Sequence, residues 1–571
     1  MKNLAPRIAQ WWVGPGPAGL PGHLVSRWLF LRALAAIYFS AFYSLLFQIR
    51  GMLGPHGLLP AGSYLQEIAR AMGSARYWYA PTLLWFGSGD HALLRLCWVG
   101  IGASLLLIAN FAPRLMLAVC FVCFLSFIAA AQDFAGYQSD GMLLCAGFIS
   151  FFLAPSGWRP GWGEREPPPR ASRFLLQFLW FTIYFESGIA KYFGGDRSWR
   201  DLSAMNEYYQ NGPLPTWIGW YAHQWPVWFH QSVAFITLCA ELLVVWLVLL
   251  PRGARILCFF FMTCLQIAII LTANYAFLNY MVLALGIFLL DDRLLIRIVP
   301  PSWRREIQEN LRPPSPTLWR KTLLEIFGSA PEPLSMTSAS PADKAPTLRS
   351  ANLATEPQFL PVPRRIFVAI GLSTKMLLLA WVFYAMAFLM FQQASPGLPL
   401  PAKPVTILEP FRIANSYGLF GRMTWARYEI EFQGSNDGTN WSVYPFRYKP
   451  QDVHEAPGIY APYQPRFEWN LWFASLGAWR ENPFVVRTEE QLLQNTPDVL
   501  ALFRSNPFAG SPPKQIRSVL WQYWFTDRAT KRATGQWWRR EFRGLYAPTL
   551  ERTPEGKVLV AEWPQTVVPP P

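Results

Sequence analysis

The chain has 571 residues, 52% of them hydrophobic and only 15% charged, with 28 Trp and 42 Phe. Soluble globular proteins carry about a quarter charged residues, so a chain this apolar, with long apolar runs, is read as an integral membrane protein. The formal charge of +15 does not point to nucleic acid: no RNA- or DNA-reading motif is present, and basic residues collect in the cytoplasmic loops of membrane proteins.

No cleavable signal peptide is read, because the first apolar run follows a long Pro/Gly-rich N-terminus and is long enough to span a bilayer. The hydropathy pattern predicts about nine transmembrane helices, at 28–48, 92–110, 114–131, 139–154, 173–190, 232–251, 255–272, 276–290 and 366–391. The fourth and eighth are short. With the N-terminus inside, the loops 155–172, 252–255 and 291–365 fall inside and carry most of the loop arginines, among them Arg159, Arg165, Arg252, Arg255, Arg304 and Arg305. The loops 132–138 and 273–275 fall outside and carry none, as the positive-inside rule expects. Loop 49–91, with Arg50, Arg70 and Arg76, is the exception. On this topology the loop 191–231 and everything after 392 face outward: periplasm in a bacterium, endoplasmic reticulum lumen in a eukaryote.

Residues 328–363 are rich in Ser, Pro and Ala and read as a cytoplasmic linker. A Pro-rich connector at 392–404 follows the last helix. Residues 405–571 form a second domain, outward-facing, β-rich and α+β in class, expected as a small sandwich. "RYEIEFQGSNDGTNWSVYPFRYKP" alternates on both sides of a turn, "IRSVLWQYWFTD" and "GQWWRREFRGLYAP" read as strands, and 488–508 reads as short helices. Val405–Leu408 and Phe411–Ile413 are expected as earlier strands.

All seven cysteines, Cys97, Cys120, Cys123, Cys145, Cys239, Cys258 and Cys264, lie in apolar runs. No disulfide framework therefore holds the outward parts, and thiol exchange there is excluded. The C-x-x-C of Cys120 and Cys123 lacks a strand-to-helix context and reads as membrane packing.

Ionisable residues inside a membrane are functional candidates by default. Here they are Asp140, Glu186, Lys191 and Glu241, with Asp133, Asp291 and Asp292 read as interface residues. Glu186 and Lys191 are about 140° apart round an ideal helix, so each needs another partner. Asp140, Asp196, Asp201 and Glu241 are the candidates. The stretch after Lys191, "GGDRSWRDL", supplies Gly194, Gly195, Asp196, Trp199, Arg200 and Asp201 in an aromatic-rich loop. His223 and His230 stand seven apart with no third ligand at a regular interval, so no metal site is read. No hydrolase or nucleotide-binding motif occurs, and no cofactor is indicated.

Several long segments in order resemble the lipase maturation factor family. "GYQSDGMLLCAGFISFFLAP" (136–155) is similar to its Q-x-D-x-L-L-L-E-x-G-F segment. "GIAKYFGGDRSWRDLSAMNEYYQNGPLPTWIGWYAHQWPVWFH" (188–230) is similar to its K-x-x-G-D-x-x-W-R-D-L stretch, and "LTANYAFLNYMVLALGIFLLDD" (271–292) to its G-N-Y-x-F-L-N pattern. "NSYGLFGRMT" (415–424), "APYQPRFEWNLWFASL" (461–476) and "NPFAGSPPKQIR" (506–517) resemble its C-terminal motifs. Cys145 stands where the family usually has Glu, and Ala273 where it has Gly. The resemblance implies a membrane-bound factor assisting secreted proteins such as lipases, with lipid and exported clients as partners. It implies a site at Lys191, Gly194, Gly195, Asp196, Trp199, Arg200 and Asp201, with Asp140, Glu186, Glu241, Asn274 and Asn279 as a membrane polar network. Arg466 and Trp469 read as structural. A fainter resemblance, of Lys191, Asp196 and Trp199 to vitamin K-dependent gamma-carboxylase, implies an alternative: an enzyme in which Lys191 is a base, acting on a lipid, a quinone or a secreted polypeptide. Gln266 stands in helix 255–272 where that resemblance would want a histidine.

Overall fold

The computed structural model describes residues 22–164, 166–304 and 362–565. The linker expected at 328–363 lies outside the described residues except for its last two, which already begin a helix. Helices occupy all nine expected positions: α1 Leu24–Leu46, α2 Asp90–Ile108, α3 Pro113–Ile128, α4 Gln138–Leu153, α5 Arg170–Phe193, α6 Val227–Leu242, α7 Arg252–Thr272, α8 Leu278–Gly286 and α9 Val362–Ala394. Five of them are long and apolar enough to cross a membrane: α1, α2, α6 with the turn that extends it to Leu249, α7, and α9 from Ile370. α3, α4 and α8 are shorter apolar helices, and α5 is long but more polar, so length and composition carry five spans rather than nine.

Local chemistry sets the ends. Pro169, Pro226 and Pro251 immediately precede α5, α6 and α7, and Pro113 opens α3, where a missing N–H costs nothing. The first N–H groups of α1 are capped from far away: the Asp292 carboxylate accepts from Leu24 at 2.7 Å and Val25 at 3.0 Å. Asp291 caps its own helix, accepting from Leu294 N, and pairs with Arg252. These two aspartates, expected as plain interface residues, tie the chain together at the end of the bundle opposite the C-terminal part.

After α9 the chain makes helical turns at Lys403–Thr406 and Glu409–Phe411, where strands were expected. The strands that do form are β1 Arg427–Ser435, β2 Ser442–Val443, β3 Gln515–Phe525, β4 Trp538–Leu545, β5 Thr549–Arg552 and β6 Val558–Glu562. They make one antiparallel sheet in the order β2-β1-β3-β5-β6, with β4 also on β3. β1 and β3 pair from Arg427↔Tyr523 to Ser435↔Gln515.

The expected sandwich is replaced by this single sheet, and β1 supplies the reason. Tyr428, Ile430 and Phe432 are buried in the hydrophobic core, where α10 (Arg466–Ala474) packs on β1 and α11 (Pro483–Leu493) packs on β3 and β5. The alternate residues Arg427, Glu429, Glu431 and Gln433 are equally buried. They need polar partners, not an apolar second sheet. Arg427 and Lys449 pair with Glu429, while Arg540 and Trp521 Nε1 reach Glu431.

Candidate functional site

The polar residues of the helical part converge on the C-terminal part. Lys191, in the last turn of α5, is buried, and its ammonium donates to both carboxylate oxygens of Glu241 on α6, each at 2.8 Å. A third bond, also 2.8 Å, goes to the carbonyl of Leu419. An ammonium has three donors, so Lys191 is fully engaged. The Trp199 ring centroid lies 5.2 Å from Nζ. Of the four candidate partners of Lys191, Asp140, Asp196, Asp201 and Glu241, the structure brings Glu241 to it.

Leu419 belongs to the segment 415–424, "NSYGLFGRMT", which is held along its length by the helices beneath it. Glu186 Oε2 accepts from Tyr417 N at 2.6 Å. Ser187 Oγ accepts from Leu419 N at 3.2 Å, Trp199 Nε1 donates to Phe420 O at 2.8 Å, and Asp196 Oδ2 accepts from Met423 N at 2.7 Å. Asn211 Nδ2 donates to Thr424 O at 2.7 Å. Gln393, near the end of α9, donates to both Glu186 O and Tyr417 O. Two glycines allow the close approach. A Cβ at Gly421 would lie 2.9 Å from the Ala190 Cβ, and one at Gly418 3.4 Å from it.

The other expected residues fall into separate contacts. Asp140 pairs not with Lys191 but with Arg466 of α10, both oxygens engaged at 2.6 and 2.7 Å. Arg466 also donates to Phe134 O at 2.8 Å. Asn274 clasps the segment 458–461: its amide donates to Gly458 O at 2.9 Å and its oxygen accepts from Tyr460 N at 2.7 Å and Ala461 N at 3.0 Å. Asn279 donates to Gln266, which donates to the Tyr184 hydroxyl, a chain inside the helical part.

The loop after Lys191 divides. Gly194 ends α5, Gly195 takes φ +92°, and Asp196 caps the short helix Arg197–Arg200 while reaching Met423. Arg200 and Asp201 are exposed. Asp201 caps Ser203, whose N–H and hydroxyl hold its carboxyl below the ordinary range. His223 and His230 are near neighbours, ring centroids 6.5 Å apart. Burial first, then His230, drops His223 to about 4. Among the described residues no three His, Cys, Asp or Glu groups are placed to hold a metal, and all seven cysteines are free.

Ser187, Asn211, Gln393 and the main chain of 415–424 escaped the sequence reading. Their roles are main-chain contacts between segments about 200 residues apart, and the glycine pair in "NSYGLFGRMT" was the only local signal. Chemically the arrangement is a closed set of donors and acceptors that seats one part of the chain on the other.

Residues 25–297 match the family described as the lipase maturation factor transmembrane domain, and residues 413–548 the lipase maturation factor C-terminal domain. The chain is 32% identical over 583 residues to lipase maturation factor 2 of Gallus gallus, covering 92% of this chain and 81% of that protein. It is 29% identical over 566 residues to lipase maturation factor 1 of Homo sapiens, covering 94% and 91%. No solved structure matches.

Proposed function

This chain belongs to the lipase maturation factor family, and from that premise we propose that it assists the folding or assembly of secreted proteins such as lipases from within the membrane. Residues 1–391 anchor it, and residues 405–571 form an outward domain that meets the client. Outward means periplasmic in a bacterial inner membrane, or lumenal in the endoplasmic reticulum. The relatives' names supply the maturation role. The observation that carries the reading for this chain is the engagement of Lys191: its three donors go to Glu241 and Leu419. A lysine so held is a structural cation and has no free lone pair with which to act as a base.

The aromatic segments divide accordingly. In "FEWNLWF", Phe467, Trp469 and Trp472 are buried and only Phe473 is half exposed. In β3, Tyr523 and Phe525 face inward, while Trp521 and Trp524 lie partly open under Arg540 and Arg539. Phe542 beside Trp521 is half exposed. Trp521, Phe542 and Arg540 share one face of the sheet and Trp524 and Arg539 the other, and the first of these offers a client rigid apolar area edged with a cation.

The test is deletion of the gene in its native host, with exported lipase activity measured per unit of lipase protein. The proposal expects a fall on deletion and recovery with the wild-type chain. Unchanged specific activity in the deletion strain contradicts it.

A further inference from the structure

A cavity of about 390 Å³ opens where α4 begins, α9 approaches its end and the connector 402–416 crosses between them. Its two walls differ. Ile128 at the end of α3, with Phe388 and Leu389 of α9, makes an apolar side, and α9 is one of the helices long and apolar enough to cross a membrane. The connector contributes Glu409 and Arg412, three residues apart across one turn closed by Arg412 N donating to Glu409 O at 3.0 Å. Both side chains are exposed, and neither makes an ion pair or side-chain hydrogen bond among the described residues. Arg412 also holds φ +53°, a left-handed conformation that a bulky residue adopts only when its surroundings impose it. The other charged group in the lining, Asp140, is closed off by Arg466.

An apolar wall supplied by a helix long and apolar enough to cross a membrane, beside one charge of each sign without an ion-pair partner among the described residues, fits an amphiphile with a zwitterionic head. We infer that this cavity binds a phosphatidylethanolamine molecule, its phosphate on Arg412, its ammonium on Glu409 and an acyl chain along Phe388 and Leu389. A guanidinium is the favoured partner for phosphate oxygens. The choice of ethanolamine over choline follows from the lining. A quaternary ammonium is held by a cage of aromatic faces. Tyr137 is the one aromatic ring on the polar side, and its hydroxyl is turned to Arg466 O and Asn470. Glu409 instead presents an acceptor, which a primary ammonium with three donors satisfies.

The full-length protein, reconstituted in vesicles of equimolar phosphatidylethanolamine, phosphatidylcholine and phosphatidylglycerol and extracted in mild detergent, tests this by native mass spectrometry of the retained lipid. Phosphatidylethanolamine is expected to predominate. Arg412→Ala is expected to lower its retention about tenfold, the loss of one charge-assisted contact. Glu409→Gln is expected to keep lipid but lose the preference over phosphatidylglycerol. Leu389→Trp, which fills the apolar side, is expected to exclude lipid. Equal retention of the three lipids, or retention of none, overturns the inference. So does unchanged retention in both charge variants with a wild-type melting profile. If Arg412→Ala fails to fold, Glu409→Gln decides alone, and an unaltered preference overturns the assignment.

Discussion

Asp140 and Arg466, 326 positions apart in the sequence, close a bidentate ion pair with both side chains buried. One belongs to the first turn of α4 and the other to the first turn of α10, so the pair is a rivet between the helical and the C-terminal parts. Removing one partner leaves the other charge buried and uncompensated, which costs about 3–5 kcal/mol. Asp140→Asn and Arg466→Leu are each expected to lower the melting temperature and to make the C-terminal part susceptible to limited proteolysis. The double variant is expected to recover part of the loss, and a double variant no better than the worse single one would remove the pairing from the explanation.

The approach of Gly421 to Ala190 gives a steric test. Gly421→Val is expected to lift residues 415–424 from α5, read as new protease cleavage in the 395–404 connector. Gly421→Ala is expected to show a milder effect that Ala190→Gly reverses, because the clash is between two methyl groups. Failure of that rescue would mean that the strain lies elsewhere.

Lys191 and Glu241 should behave as a unit. Lys191→Met alone leaves the Glu241 carboxylate buried without its partner, and Glu241→Leu alone does the same to the ammonium. Each is expected to destabilise by several kcal/mol, on the order of 3–5. Lys191→Met with Glu241→Leu replaces the pair by apolar groups of similar size and is expected to lie near the wild type, since such replacements are often neutral. Additive losses in a thermal-unfolding cycle would argue against the coupling.

Glu489 on α11 gives a pH dependence. It is fully buried beside Ser518 of β3, and burial, opposed by Ser518, holds its carboxyl well above the ordinary range. The folded chain therefore keeps a proton that the unfolded chain releases. The stability contribution is full below the ordinary carboxylate value and declines as pH rises toward the folded value, by up to about 1.4 kcal/mol per pH unit. Glu489→Gln is expected to flatten this decline between pH 5 and 8, followed by C-terminal tryptophan fluorescence during thermal unfolding. Parallel wild-type and variant slopes would contradict it.

The helix positions were legible because an apolar run of the right length is its own signal. The hairpin of β1 and β2 and the strands β3 and β4 were legible from periodicity and turn residues, while the short helices expected over 488–508 begin five residues earlier, at Pro483, and the second ends at Leu500. The sandwich was misread because Glu429 and Glu431 look solvent-facing in an alternating strand, whereas Lys449 and Arg540 cover them. Short segments such as 405–413 carry strand-prone residues but close into helical turns around Pro404 and Pro410. Glu241 was correctly placed among the candidate partners of Lys191, since a mid-helix charge demands one. Arg466 read as structural, yet its pairing with Asp140 was out of reach: nothing local joins residues 326 apart. The role of 415–424 was hidden for a deeper reason. Its main-chain N–H and C=O groups make the contacts, and every residue type carries those.

The most direct measurement is complementation of the deletion strain with the Lys191→Met and Glu241→Leu double variant, reading exported lipase activity per unit of lipase protein. If Lys191 seats the C-terminal part on the helices, a double variant that is stable and membrane-inserted restores wild-type specific activity. A double variant that folds and inserts normally but leaves the lipase inactive would show that Lys191 acts in chemistry, and would contradict the structural role assigned to it here.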